Sequence, residues 1–464
     1  MLTGLVDFNG KTCVFKLDKE SFTLTIEDIE EREKLPSLIE AFMPIVERTE
    51  AIKDYETLIA KDFEKSKIIH FHINSLRAVG HKTHLASLKS YIIFDGSETS
   101  FDSLQIRANE LDWFHDIGIA LHQYKNYEDG EGELLLSDFD KTTEEFEFTI
   151  SDKLIKGNLS ISREVTRQSQ NPLILNSNLD YRFEETTDIS LASDLVSLTR
   201  DLLKFISYRK NSHINKLILK NHFDHEYYSI GELHIRNIQT EEKEKESVIR
   251  ERIIAYPLLS SSFTKLLEKV SMKEVYLRHI PEDFKSNNTI TPARFIMATA
   301  GFEWQFEISH KIKSEENKMK YEKERNEVLE FLEGKYKETT GKEKKFFKNS
   351  KRLFEENPSQ LAANIIWALK KSDDVLKDFI RSMYKMNEIP EEIFKHAAIA
   401  QRIAKYRNAF AHGNLDLEFN RLIIFDLPVL EWLYYAMILE DIGVSTENAK
   451  KSINNLFDLN FNYQ

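Results

Sequence analysis

Apolar and polar side chains alternate over the first 30 residues. Cys13, Phe15 and Leu17 fall on one side of an extended chain and Thr12, Val14 and Lys16 on the other, and Phe22, Leu24 and Ile26 repeat the step. A period of two is that of a half-buried strand, so a β-rich start is predicted. Similar runs recur at 68–74, 90–96, 102–108, 144–150 and 173–185, separated by polar or Gly-containing stretches. Together they predict an antiparallel β domain. The period then changes: Leu191, Leu195, Leu198, Leu202 and Phe205 are spaced by three and four, as on an amphipathic helix with Asp188 or Ser190 as N-cap. Two more strand-like runs, HINKLILK and GELHIRN, come next.

From about Pro281 the pattern is helical. Pro292 suits a first turn after Thr291, and ARFIMATAGFEWQFEISHKIK runs without a breaker apart from Gly301 and merges into a Lys/Glu-rich stretch as far as Lys337, which predicts one long helix or two end to end. TTGKEKKFFKNSKR reads as a basic linker, 359–385 as one or two helices, and 389–412 as another that stops at Gly413. A final helix is expected from near Pro428 to Gly443. The expected fold is α+β: an antiparallel β-rich N-terminal domain over 1–185, a mixed α/β connecting subdomain over 186–285, and a C-terminal α-helical bundle over 286–464.

Composition narrows the class. With 464 residues, 41% apolar and 30% charged, and only 14 Gly and 9 Pro, collagen-like, low-complexity and wholly disordered chains are set aside. A single cysteine, Cys13, permits neither an internal disulfide nor a four-cysteine metal site, which fits a reducing, cytoplasmic setting. The start lacks a basic region followed by a long apolar run. The most apolar late segment, LPVLEWLYYAMIL, holds Glu431 and is about 13 residues long against the ~20 that span a bilayer, so no membrane anchor is expected. The net charge of -13 is unevenly spread. Residues 291–464 carry 27 basic and 27 acidic side chains, and residues 1–290 carry 37 and 50, which makes the C-terminal part the better place to seek contact with a polyanion.

One stretch carries chemistry. Lys405, Tyr406, Arg407 and Asn408 are followed by Ala409, Phe410 and Ala411, then by His412 and Gly413. On an ideal helix residues five apart lie roughly 140° apart, so Arg407 and His412 would diverge on a straight helix. A glycine just past the last turn is the usual left-handed terminator, which places His412 at the cap, where the backbone can swing the imidazole towards Arg407. The guanidinium can hold non-bridging phosphate oxygens in a fork, and the imidazole titrates near neutrality, as acid towards a leaving 5′-oxygen or base towards a 2′-hydroxyl. The plainer reading has Arg407 paired with a neighbouring carboxylate, Asn408 on the surface, and His412 as a cation favoured by the helix dipole.

The segment YRNAFAHGN resembles the Arg-x4-6-His motif of HEPN ribonuclease domains, including the polar residue after the Arg, here Asn408. ATAGFEWQFE, with its apolar-Glu step at Phe302-Glu303, and the closing LEWLYYAMILEDIG are similar to the Apea-like branch, so the resemblance runs from about Pro292 to Gly443. The β-rich region with SLQIRANELDWF resembles the domain that accompanies Apea-like HEPN domains in bacterial anti-phage proteins. The resemblance implies a metal-independent endoribonuclease without cofactor. Two HEPN domains would face each other across the twofold axis of a homodimer, each supplying Arg407, His412 and Asn408, and products would carry a 2′,3′-cyclic phosphate or its hydrolysis product. It further implies an abortive-infection effector whose partner is RNA, with tRNA among the candidates, and whose N-terminal domain answers a phage-derived trigger. Lys405 and the basic stretch Lys344, Lys345, Lys348 and Arg352, with Phe346 and Phe347, would then contact the RNA backbone and stack on bases; the plainer reading of that stretch is a solvated linker. The alternative function is a non-catalytic dimeric binding or scaffold protein that holds a nucleotide or RNA. A third, nucleotidyl transfer with a separate partner, lacks any transferase motif in this chain.

Weaker constellations have structural readings. His70 and His72 share a strand face, with His81 and His84 close by, but neither Cys nor closely spaced acids complete a metal set. Asn221, His222, Asp224 and His225 form a polar turn, and Trp113, Phe114, Trp304, Trp432, Tyr434 and Tyr435 are expected in the core or a dimer interface. Neither a Gly-x-Ser-x-Gly elbow, a phosphate-binding P-loop nor a Gly-x-Gly-x-x-Gly fingerprint occurs.

Overall fold

The computed structural model describes residues 1–29, 56–64, 67–79, 82–126, 132–166, 170–236, 244–356, 360–413 and 421–461, with backbone alone at 122–126, 132–134 and 353–356. Strands come first and helices after, the expected α+β order. The chain divides into two units. One comprises Met1–Asp112, Ile117–Arg200 and His213–Glu241, the other Trp113–Asp116, Asp201–Ser212 and Glu242–Gln464. The segment 186–285, expected as a connecting subdomain, is split between them: its two strands pair with the sheet of the first unit, and its helices after Glu242 belong to the second.

In the first unit, β1 (Leu2–Phe8), β2 (Lys11–Asp18), β3 (Thr23–Asp28), β4 (Thr57–Asp62), β5 (Ile68–Ala78) and β6 (Thr83–Phe94) close into a six-stranded antiparallel ring. Leu2 stands opposite Leu17, Phe15 opposite Ile26, Leu24 opposite Ala86, Phe71 opposite both Tyr91 and Leu58, and Ala60 opposite Val6. The inward side chains are those the alternation selects: Phe15, Leu17, Leu24, Ile26, Ile69 and Phe71 are all fully buried. Asn9 and Gly10, both at positive φ, make the two-residue turn between β1 and β2.

β6 is longer than its pairing with β3 requires. Its second half pairs with β14 (Glu226–Ile235), and the sheet continues through β13 (Ile214–Phe223), β7 (Phe101–Ala108), β12 (Leu173–Thr186) and β11 (Lys153–Val165) to β10 (Glu144–Ile150) at the edge. β8 (Leu121–Asn126) and β9 (Gly132–Leu136) form a separate hairpin. The first long helix, α1 (Ile189–Ser207), is capped by Asp188, whose carboxylate accepts the Ser190 N–H at 2.9 Å, and its Thr199 hydroxyl lies 3.0 Å from the Tyr181 hydroxyl of β12.

The second unit contains α2 (Phe263–Ser271), α3 (Pro292–Ser309), α4 (Lys311–Glu338), α5 (Gly341–Glu356), α6 (Leu361–Lys371), α7 (Asp373–Met386), α8 (His396–Ala411), α9 (Ile423–Asp441) and α10 (Thr446–Leu456). Thr291 caps α3 by accepting the Arg294 N–H at 3.2 Å, and a departure from helical backbone at His310 separates α3 from α4. Three expectations are corrected. The stretch read as a basic linker is α5: Lys344 lies over the Tyr336 ring at 4.8 Å and Lys351 pairs with Glu333 at 2.7 Å, so its weakly apolar face rests on α4. The last apolar helix starts at Ile423 rather than near Pro428, because a proline removes only one N–H bond, here beside the exposed Ile424. A further helix, α10, follows it, with Ser445 as cap and Ala449, Ile453 and Leu456 turned inward.

α9 is buried on nearly every side, as expected of a helix apolar all round, and α3, α7, α8 and α10 pack on it. Two carboxylates sit inside this packing. Asp426, with no exposed surface, accepts from Arg402 of α8 at 2.7 and 2.8 Å and from the Tyr384 hydroxyl of α7. Glu431 accepts from Arg294 of α3 at 2.6 Å, and Arg294 also donates to the Asn287 side chain at 2.8 Å. α8 and α3 are thereby each tied to α9 by an arginine. His279 fills the remaining space, 4.3 Å from the Tyr434 ring and stacked on Tyr276, at a place open only because residue 301 is glycine: a Cβ there would lie 2.7 Å from the imidazole. Among the described residues no helix is long and apolar enough to cross a membrane.

Removing one partner of a buried ion pair leaves the other charged and unpaired, so Asp426→Ala is expected to lower the unfolding free energy by about 3–5 kcal/mol, measured by urea denaturation. Burial, aided by the charges of Lys210 and Arg294, pushes the His279 imidazole down to about 3. Between pH ~6.5 and ~3 the unfolded chain therefore holds a proton that folded His279 refuses, and stability falls as pH falls through that window. His279→Leu is expected to flatten the dependence of stability on pH by up to ~1.4 kcal/mol per pH unit there, read from denaturation series at stepped pH.

Candidate functional site

The residues of interest gather where α8 stops. The His412 N–H still donates to the Asn408 carbonyl at 3.1 Å, and the Gly413 N–H donates to Phe410 at 3.0 Å with Gly413 at φ +79°. His412 is thus the C-cap, non-helical and exposed, and Gly413 supplies the left-handed step that ends the helix. Phe410 anchors this end from inside, edge-on to Phe295 of α3.

Arg407, one and a half turns earlier, leaves 38% of its side chain in solvent. Its guanidinium reaches Glu303 of α3 at 3.4 Å and the Asn408 side-chain oxygen at 3.5 Å. The neighbouring carboxylate of the plainer reading therefore exists. Both contacts are long for charge-assisted hydrogen bonds, which close to about 2.7–2.9 Å when strong. Burial raises the Glu303 carboxyl above the usual carboxylate range, and Arg407 pulls the other way. Within one chain the site brings together Arg407, Asn408 and Glu303, with His412 at the helix end, and among the described residues no hydrogen bond joins Arg407 to His412. Asn414 of the quoted motif lies outside the described residues.

Lys405 is exposed but about 160° around α8 from Arg407, so it does not share that face. Lys344, Lys345, Lys348 and Arg352 are carried by α5, which packs against α4. Lys345 and Lys348 are exposed, and Lys344 is engaged with Tyr336. Glu303 had a place in the motif but no role; its partner lies 104 positions away, which no local spacing reveals.

The histidines of the first unit have separate surroundings. His70 lies edge-on to Phe94, His72 bonds the Thr57 hydroxyl at 3.3 Å and is pushed by burial to about 4, and His84 packs on Phe8. His81 lies outside the described residues, among which no group of three or more His, Cys, Asp or Glu could hold a metal ion. Of the expected polar turn, only Asp224 and His225, both at positive φ, form the β13–β14 turn, while Asn221 and His222 lie on β13 opposite Tyr228 and Tyr227. Phe114, Trp432, Tyr434 and Tyr435 are core residues, whereas Trp113 lies under Arg250 and Trp304 is half-buried. In comparisons with known proteins, no family model, curated protein or solved structure matches this chain.

A partly exposed pair contributes little to stability, so Glu303→Gln is expected to change the unfolding free energy by no more than about 1 kcal/mol, by urea denaturation at pH 7. A larger loss would make the Arg407–Glu303 contact a structural tie.

Proposed function

We propose that the chain is a metal-independent endoribonuclease of HEPN type, acting as a homodimer in which two copies of the α8 terminus share one scissile phosphate. The observation that carries the reading is the placement of Arg407 and His412 at one solvent-facing helix end: a guanidinium fork and an imidazole, neither buried. Arg407 would hold the non-bridging oxygens, exchanging its long contact with Glu303 for a phosphate, and Asn408 would steady the guanidinium. One His412 would take the 2′-hydroxyl proton and its symmetry mate would protonate the leaving 5′-oxygen, giving a 2′,3′-cyclic phosphate. Two imidazoles are needed on opposite sides of phosphorus, and each chain has one at this place, which is the physical motive for the dimer.

On this reading the first unit restrains the nuclease until a phage-derived trigger arrives, since an unrestrained ribonuclease would damage its own cell. The Glu303 contact favours a second reading, in which Arg407 is held as a structural arginine and the protein is a dimeric binding or scaffold protein.

The test is purified protein against total RNA and tRNA, with end-group analysis, run with and without phage lysate. Arg407→Ala and His412→Ala are each expected to reduce cleavage by at least about 100-fold while the dimer persists, and EDTA is expected to leave it unchanged. Cellular toxicity that survives both substitutions would leave the scaffold reading, and RNA cleavage that survives them would overturn the assignment to Arg407 and His412.

A further inference from the structure

A second site lies elsewhere in the helical unit. A cavity of about 740 Å³ is lined by Lys204, Lys210, Lys273 and Arg278, with Tyr276 and Trp304 in its wall and Asp201 as its one carboxylate. Four cations against one acid is an unusual balance for a stretch drawn from the acid-rich part of the sequence. Asp201 is shared, 2.8 Å from Lys204 and 3.7 Å from Lys273, and Lys210 pairs with Glu282 at 2.8 Å. Among the described residues Arg278 makes no ion pair, and three quarters of the Lys273 side chain is exposed. Two carboxylates, Asp201 and Glu282, are shared among four cations and leave an excess of positive charge, so the cavity favours an anion.

The wall is fixed before any ligand arrives. The Tyr276 carbonyl accepts the Tyr434 hydroxyl at 2.6 Å, and its N–H donates to Gln305 at 3.2 Å. The Lys210 N–H is held by the carbonyl of Pro281 at 2.9 Å. The Tyr276 and Trp304 rings lie 5.3 Å apart at 45°, both half-buried, and no cation covers the indole among the described residues. Cations beside half-exposed aromatic faces suit a ligand that is anionic at one end and planar at the other. The volume falls within the ~300–1,000 Å³ of small-ligand pockets.

We propose that this cavity is a nucleotide-binding site, separate from Arg407 and His412, in which phosphate lies among Lys210, Lys273 and Arg278 and the base stacks against Trp304. The nucleotide is either free or one residue of a single-stranded RNA. The two sources share this chemistry, and titration separates them.

The experiment titrates full-length Arg407→Ala protein, which holds the other site constant, with ATP and with a ten-nucleotide single-stranded RNA, by calorimetry at 50 and 200 mM salt. Binding of ATP assigns a free nucleotide; binding of the RNA alone assigns a strand. In either case Lys273→Glu/Arg278→Glu, both exposed positions, is expected to weaken binding at least tenfold, and Trp304→Ala about five- to hundredfold. Failure of both probes to bind at millimolar concentration, or binding indifferent to the charge reversal, would overturn the proposal. So would pyrophosphate binding as tightly as ATP with no effect of Trp304→Ala. Circular dichroism of each variant confirms that it is folded. If RNA cleavage by the wild-type chain failed while this titration succeeded, the nuclease reading would fall and the nucleotide site would stand.

Discussion

Two carboxylates inside α9 hold the helical unit in register. A helix without a polar face has no side to show to solvent, and its neighbours could slide along an apolar surface at little cost. Asp426 and Glu431 remove that freedom, because an arginine drawn into the interior must meet its carboxylate at one place. Arg402 lies on the helix that ends at His412, and Arg294 on the helix that carries Glu303. The candidate site is thus positioned from below by ion pairs that never touch it.

This division of labour explains the contrast between the two classes of arginine. Arg402 and Arg294 make short contacts with buried acids, and Arg407 makes long ones with a partly exposed acid. Short, desolvated pairs are expensive to break and suit a scaffold. Long, solvent-reachable pairs are cheap to exchange, which is what a group that must grip and release a phosphate requires.

How much of this the sequence disclosed depended on how local each signal was. The ring strands β2 and β3 were plain because Cys13, Phe15 and Leu17 alternate without interruption, and the end of α8 was plain because its cap, its glycine and its polar residues lie within a few positions. α5 reads as a linker because its sequence is dominated by lysine, and its contacts with α4 through Lys344 and Lys351 leave no apolar period to see. α10 is hidden for a similar reason, its apolar positions being few. β11 is interrupted by Gly157, a position where the Phe146 ring lies in the space a side chain would need. Partnerships across the chain left no trace: the Glu303–Arg407 contact and the convergence of Lys204 with Arg278 exist only once the helices have packed.

β6 has its own consequence. Because its first half closes a ring with β3 and its second half begins a sheet with β14, a single backbone serves two hydrogen-bonded systems. No cut through the first unit can separate them cleanly. A fragment ending at Phe94 would keep the ring but bare a row of amides and carbonyls on β6, a template for joining any other extended chain, so the ring and its sheet must be made, inherited and lost as one piece.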